Sequence, residues 1–160
     1  MTGKGGVVVL MGSILEAAIA FFTEDNWKFS QMEGKPALSL PCSGRHGSWL
    51  CWAEAREDQH QFVFYSISPV KVPENKRPAV CEYLTRANYG LIIGNFELDL
   101  RDGEIRYKTS IDVEGEDLTQ ALVKNLVYAN LSTMDRYLPG IMGIIYGNLS
   151  PEQAISQVED

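Results

Sequence analysis

Apolar residues near the start of the chain recur at helical spacing. Ile14, Leu15, Ala18, Ile19 and Phe22 follow Ser13-Ile-Leu-Glu16, which has the form of a capping box, and predict a helix over about 14–23. The period then changes. Trp27 to Gln31 reads as a short strand and Glu33-Gly34-Lys35-Pro36 as a turn. "ALSLPC" alternates, with Leu38 and Leu40 on one face; Pro41 cannot donate to a ladder, which predicts an edge strand or a bulge. After the turn "SGRHG", "SWLCWAEARE" and "QFVFYSIS" form an antiparallel pair around Asp58 to His60. Neither face of this pair is polar. Leu50 and Trp52 oppose Trp49, Cys51, Ala53 and Ala55, while Phe62 and Phe64 oppose Val63, Tyr65 and Ile67. Such strands are expected to be covered on both sides, by the domain itself or by a partner.

Beyond "PVKVP", Asn75 is placed to cap a helix with Pro78 in its first turn, where a missing N–H is harmless. Val80, Tyr83, Leu84 and Ala87 form its apolar stripe, and Gly90 closes it. Asp117 or Thr119 opens a long helix through Leu122, Leu126, Ala129, Met134, Leu138 and Ile141, with a kink or break at Pro139 near Tyr137. Ser150-Pro151-Glu152-Gln153 is a second capping box and starts a terminal helix.

Between these helices lies "NFELDLRDGEIRYKT", where Asp102-Gly103 joins two alternating runs, a strong hairpin signal. A two-residue turn sets Arg101 against Glu104, Asp99 against Arg106 and Glu97 against Lys108, all of opposite charge and on one face. The other face, Phe96, Leu98, Leu100, Ile105 and Tyr107, is expected to sit on the helices. This reads as register specification with a solvated face, since a metal site needs carboxylates without cations between them.

At 160 residues the chain is expected to form one domain over 13–160, with residues 1–12 a disordered extension and Met11 an alternative start. A net charge of −7 repels phosphate backbones, which argues against nucleic acid as a partner. "KGGVVVLMGSILEAAIAFF" has the outline of a signal peptide, but Glu16 interrupts it and its pattern is amphipathic. It is too short to span a bilayer, so the expected location is cytoplasmic with no membrane partner. Three cysteines, Cys42, Cys51 and Cys81, with no CxxC, predict reduced thiols and neither a disulfide framework nor a zinc site.

The sequence offers little for catalysis. His46 and His60 fall in turns beside no nucleophile in a recognisable frame, and GxSxG, HExxH and EF-hand patterns are absent. "TGKGG" follows no strand and lacks the Ser or Thr of a phosphate loop; "GLIIGNF" precedes a strand, not a helix. No catalytic residue, cofactor or metal is expected, and the protein reads as a non-enzyme. The aromatic residues are more informative, because Trp and Tyr are enriched in contact hot spots. Trp49 and Trp52 lie on opposite faces of one strand; with Tyr65 and Tyr83 they are the candidate partner-binding residues.

"LTRANYGL", "GNFELD" and "MDRYLPG" carry a resemblance to the YbjN family, described as bacterial sensory transduction regulators, and especially to its cyanobacterial branch. The resemblance runs from about Leu15 onward. It implies a fold similar to type III secretion chaperones: α+β, an antiparallel sheet with helices packed mainly on one face. The order of elements read from the pattern agrees. It also implies a homodimer that binds extended protein segments on apolar patches, and it transfers no catalytic residue. The expectation is a regulatory or chaperone-like protein with a protein or peptide partner. A small-ligand sensor, or an enzyme with an unrecognised site, is the alternative.

Overall fold

The computed structural model describes residues 12–160. The expected disordered extension and the phosphate-loop decoy lie outside these residues, Gly12 apart. The elements in chain order are α1 (Ser13–Glu24), β1 (Ser30–Gln31), β2 (Ala37–Ser43), β3 (Ser48–Arg56), β4 (Gln61–Ile67), α2 (Arg77–Asn88), β5 (Asn95–Leu98), β6 (Ile105–Asp112), α3 (Gln120–Gly147) and α4 (Pro151–Glu159). The strands form one antiparallel sheet in the order β1-β2-β3-β4-β6-β5. α1 and α3 lie against its central strands, and α2 and α4 extend the same layer.

Alternation along the strands decides which side meets that layer. Leu38, Leu40, Cys42, Trp49, Cys51, Ala53, Ala55, Phe62 and Phe64 are buried beneath the helices. In α2 the stripe Val80, Tyr83, Leu84 and Ala87 is buried as its spacing predicts. In α3 the stripe is rotated by one residue from the expected one. Val123, Val127, Asn130 and Met134 face inward, and Leu122, Leu126 and Ala129 are only partly covered. The buried polar Asn130 disguised the true face. Its Nδ2–H group donates to Phe64 O (2.9 Å) and Tyr107 O (3.0 Å), tying the helix to β4 and β6.

The helix ends show where local signals held and where they did not. Ser150 and Gln153 make both bonds of the capping box, and Thr119 caps α3. Ser13 makes no cap, because it is already helical. Instead the Glu57 carboxylate, forty-odd residues away, accepts from Ile14 N–H (3.3 Å) and Leu15 N–H (2.9 Å). Asn75 does not cap α2 either; it lies in a 3₁₀ turn, Glu74–Lys76, that leads into the helix. Glu57→Ala removes both a cap and a charge at a helix start, and a loss of about 1–2 kcal/mol is expected in denaturant unfolding. Glu57→Asp, one methylene too short, should lose nearly as much.

Pro139 does not end α3, which runs unbroken to Gly147. The proline lacks the N–H that would reach the Asp135 carbonyl four residues back. That carbonyl is taken over by His46 Nδ1 at 3.0 Å. Since a carbonyl only accepts, Nδ1 carries the proton. The Asp135 carboxylate accepts from the backbone N–H groups of Arg45 (3.1 Å) and His46 (2.9 Å). Gly44, with no side chain to block it, lets that carboxylate approach the β2–β3 turn.

The β5–β6 hairpin departs from the expected register. Leu98 pairs with Ile105 and Glu97 with Arg106, a displacement of two that keeps each side chain on its face but exchanges its partner. A longer loop is the cause. Gly103 N–H donates to Asp99 O (2.7 Å), while the Asp99 and Asp102 carboxylates accept from Arg101 N–H (2.9 Å) and Glu104 N–H (3.0 Å). These side-chain closures have no room in a two-residue turn. Gly103 takes φ +83° there. Leu100 falls in the loop and is exposed, not packed on the helices. Arg101 pairs with Asp99 (2.9 Å) and holds its carboxyl down to about 2. This exposed pairing is complete above about pH 4 and fades as the pH falls toward 2.

Candidate functional site

The side of the sheet away from the helices carries no layer of its own among the described residues. Its cross-strand rows can be read from the register. Pro41, Leu50, Ile67, Arg106 and Glu97 form one row; Ser39, Trp52, Tyr65, Lys108 and Asn95 the next; Ala37, Glu54, Val63 and Ser110 the third. The β3 and β4 positions at the centre are mostly apolar: Leu50 is exposed (42%), Trp52, Tyr65 and Ile67 are partly covered, and Val63 is buried beside Glu54. An open antiparallel face ordinarily alternates to polar residues; here β5 and β6 do so and most of β3 and β4 does not.

Polar groups frame this centre on the β6 side. The Arg106 guanidinium sits 4.4 Å from the Tyr65 ring centroid, in cation–π geometry. Its Nε donates to Glu97 Oε1 (2.9 Å), and Lys108 Nζ lies 3.4 Å from Glu97 Oε2. Burial pushes the Tyr65 phenol up, so it is neutral at ordinary pH and presents a hydroxyl. Trp52 Nε1 is shielded from solvent and has no acceptor among the described residues. A hollow of about 300 Å³ beside Val63, Tyr65, Lys108 and Ser110 gives the surface relief.

Of the four aromatic residues expected to contact a partner, the structure brings two together. Trp52 and Tyr65 are direct cross-strand neighbours on the open face. Trp49 and Tyr83 are not on it. Trp49 is 5% exposed, faces the helices and donates through Nε1 to Ser66 Oγ (2.9 Å). Tyr83 is wholly buried and donates its hydroxyl to Tyr137 O (2.7 Å). A surface role for these two is thus corrected: they are core residues. Leu50, Ile67 and Arg106 were missed as site residues. Their signal was present in the same-face positions of the two apolar strands, but the partners in β6 needed the register.

Other chemistry-bearing residues stay apart. His60 occupies the left-handed C-cap of the Glu57–Gln59 turn, and His46 is bound to α3. Cys42 and Cys51 are buried and Cys81 is exposed, all as free thiols. Among the described residues no three His, Cys, Asp or Glu side chains cluster as a metal would require, and no helix is long and apolar enough to cross a membrane.

An antiparallel sheet layered by helices on one side is an α+β fold. Residues 16–142 match the YbjN family, described as "Putative bacterial sensory transduction regulator", and the chain belongs to that family. The crystal structure of YbjN from E. coli, described as "a putative transcription regulator", superposes with a TM-score of 0.61 at 13% identity, covering 80% of this chain and 89% of that one. The Yersinia pestis type III secretion chaperone SycH, in complex with a stable fragment of YscM2, gives a TM-score of 0.50 at 8% identity, over 74% and 94% of the two chains. At these identities the likeness is one of fold. No curated protein matches the sequence.

Proposed function

We propose that this chain is a non-enzymatic, cytoplasmic regulatory or chaperone-like protein that binds a protein or peptide partner on the open face of its sheet. The observation that carries the reading is the apolar centre formed by Leu50, Trp52, Tyr65 and Ile67. Leu50 is exposed and Trp52, Tyr65 and Ile67 are partly so, and apolar side chains grouped at a surface in this way suit a contact site. The framing groups Arg106, Lys108 and Glu97 supply direction through hydrogen bonds to the partner's backbone or side chains. SycH is seen with a protein fragment bound, which supports recognition of protein as the use of such a scaffold. A homodimer, in which two copies share surface before or during capture, belongs to the same proposal.

A photo-crosslinking residue at position 67 should capture one predominant species in cells, either a second copy or another protein. Trp52→Ala combined with Tyr65→Ala should reduce that capture by about 30-fold or more, since truncating a central aromatic anchor costs about 2 kcal/mol or more of binding. Both side chains are partly buried, so the double variant is expected to lose some stability, and capture is compared only at a temperature where its thermal transition shows it to be folded. Undiminished capture by a folded double variant would sink the reading. Light scattering on the purified chain reports the dimer independently.

A further inference from the structure

We propose that the cleft between the β2–β3 turn and the α3–α4 pair binds the phosphoryl group of a small molecule. The site is separate from the open sheet face and goes beyond the protein-binding reading. The cleft is an open groove of about 470 Å³, within the roughly 300–1,000 Å³ usual for small-molecule sites. Arg45 and His46 enter it from the turn and Arg136 from α3, with Ser132 and Gln157 adding neutral hydrogen-bonding groups.

The charge balance is what points to an anion. The protein as a whole carries −7, yet this cleft gathers two guanidinium groups and an imidazole around a single carboxylate. That carboxylate, Asp135, is only 18% exposed and is already engaged by two backbone N–H groups of the turn. Neither Arg45 nor Arg136 is in an ion pair among the described residues. Arg136 commits only its Nε, to Val158 O at 3.3 Å, and its flank to the Tyr137 ring. The Glu159 carboxylate close by in sequence is held by the Tyr137 hydroxyl at 2.8 Å. Two arginine forks from different elements suit a tetrahedral oxyanion, which offers acceptor edges on several sides, better than a single planar carboxylate. His46 donates Nδ1–H to the Asp135 carbonyl, which fixes the ring and leaves Nε2 an acceptor, able to meet a protonated phosphate oxygen (P–OH) but not an oxyanion; the two guanidinium groups therefore supply the donors.

A ligand seated here would bridge the turn to α3 and raise the transition temperature with ligand concentration. Inorganic phosphate, pyrophosphate and glycerol phosphate should each do so saturably at matched ionic strength, where sodium chloride and citrate do not. Glycerol phosphate binding more tightly than inorganic phosphate identifies a phosphorylated metabolite as the ligand; the reverse order identifies free phosphate. Arg45→Ala should weaken binding at least tenfold, and Arg45→Lys most of that amount. Arg136→Ala should act similarly, but it also removes a contact to the α4 end; Arg45, exposed on its turn, therefore carries the test. Lys124→Ala, on another surface, should change nothing. An equal response to citrate, or an unchanged affinity in folded Arg45→Ala, would overturn the site.

Discussion

Changing Asn130 to aspartate is expected to leave the chain largely unfolded at pH 7 and substantially rescued near pH 4. Asn130 is fully buried, and its Nδ2–H group serves two sheet carbonyls, Phe64 O and Tyr107 O. An aspartate there faces acceptors with an acceptor. Losing donors to buried carbonyls costs about 1–3 kcal/mol each. The carboxyl must also stay protonated to avoid an unpaired buried charge. Protonating a group of ordinary pKa near 3.9 at pH 7 costs about 4 kcal/mol. The sum is comparable to the roughly 5–15 kcal/mol that holds a typical domain together. The sign is set by linkage. Burial raises the folded-state pKa, so the folded variant holds a proton that the unfolded chain releases above about pH 4, and stability falls as pH rises. Urea unfolding of variant and parent from pH 4 to 7 measures this. A deficit independent of pH would mean that the site is wetter than the geometry describes.

Gly140→Ala is the second severe change, against the ordinary expectation. In a helix interior alanine is favoured over glycine by roughly 1 kcal/mol. Here a methyl group would overlap the Tyr83 hydroxyl oxygen and Cζ outright and stand 2.6 Å from Cε2. Tyr83 is wholly buried against α3 and bonded to Tyr137 O, so the ring has nowhere to go without opening α2 from α3. Overpacking of about 1–3 kcal/mol, together with a lost buried hydrogen bond of about 1–3 kcal/mol, exceeds the helical gain. A net loss of about 3 kcal/mol corresponds to a fall of roughly 6–12 °C in the thermal midpoint at this chain size. Tyr83→Phe should rescue little, because Cζ still collides. Tyr83→Leu should make the glycine replaceable, so that adding Gly140→Ala to it costs almost nothing. Additive losses in that cycle would place the cause elsewhere.

Both predictions rest on residues the sequence did not flag, and the reason is physical. Asn130 and Gly140 matter through atoms distant in sequence, on β4 and β6 for the first and on α2 for the second. Periodicity reports only which way a residue faces. It did so well where the face was uniform, as in α2; in β3 and β4 the two-sided apolar pattern predicted cover on both sides, by the domain or by a partner, and among the described residues helices cover one side. It misplaced the first half of α3 because the most buried polar residue sat on the core face. Trp49 and Tyr83 were offered as contact residues on their type, but their polar atoms had partners inside, in Ser66 and Tyr137. The Asp-Gly hairpin signal found the turn and the faces. The register slipped by two because Asp99 and Asp102 closed a longer loop with their own carboxylates. The cap on α1 from Glu57 had no local trace at all.

The two ends of the sheet also bear on how anything can join it. Asn88, the last residue of α2, lies along the outer strand β5. Its Oδ1 accepts from Phe96 N–H (2.7 Å) and its Nδ2–H donates to Phe96 O (3.1 Å). At the opposite end β1 covers β2 only at Leu38 and Ser39. The Ala37 carbonyl accepts there from Met32 N–H, so the alternate residue Pro41 turns its missing donor outward. One margin is occupied by an amide that imitates a neighbouring strand, and the other is interrupted by an imino acid. Lengthening of the sheet by a further chain is discouraged on both sides. Fibrous self-association should therefore be slow even in concentrated solution, and Asn88→Ala is the change that should hasten it.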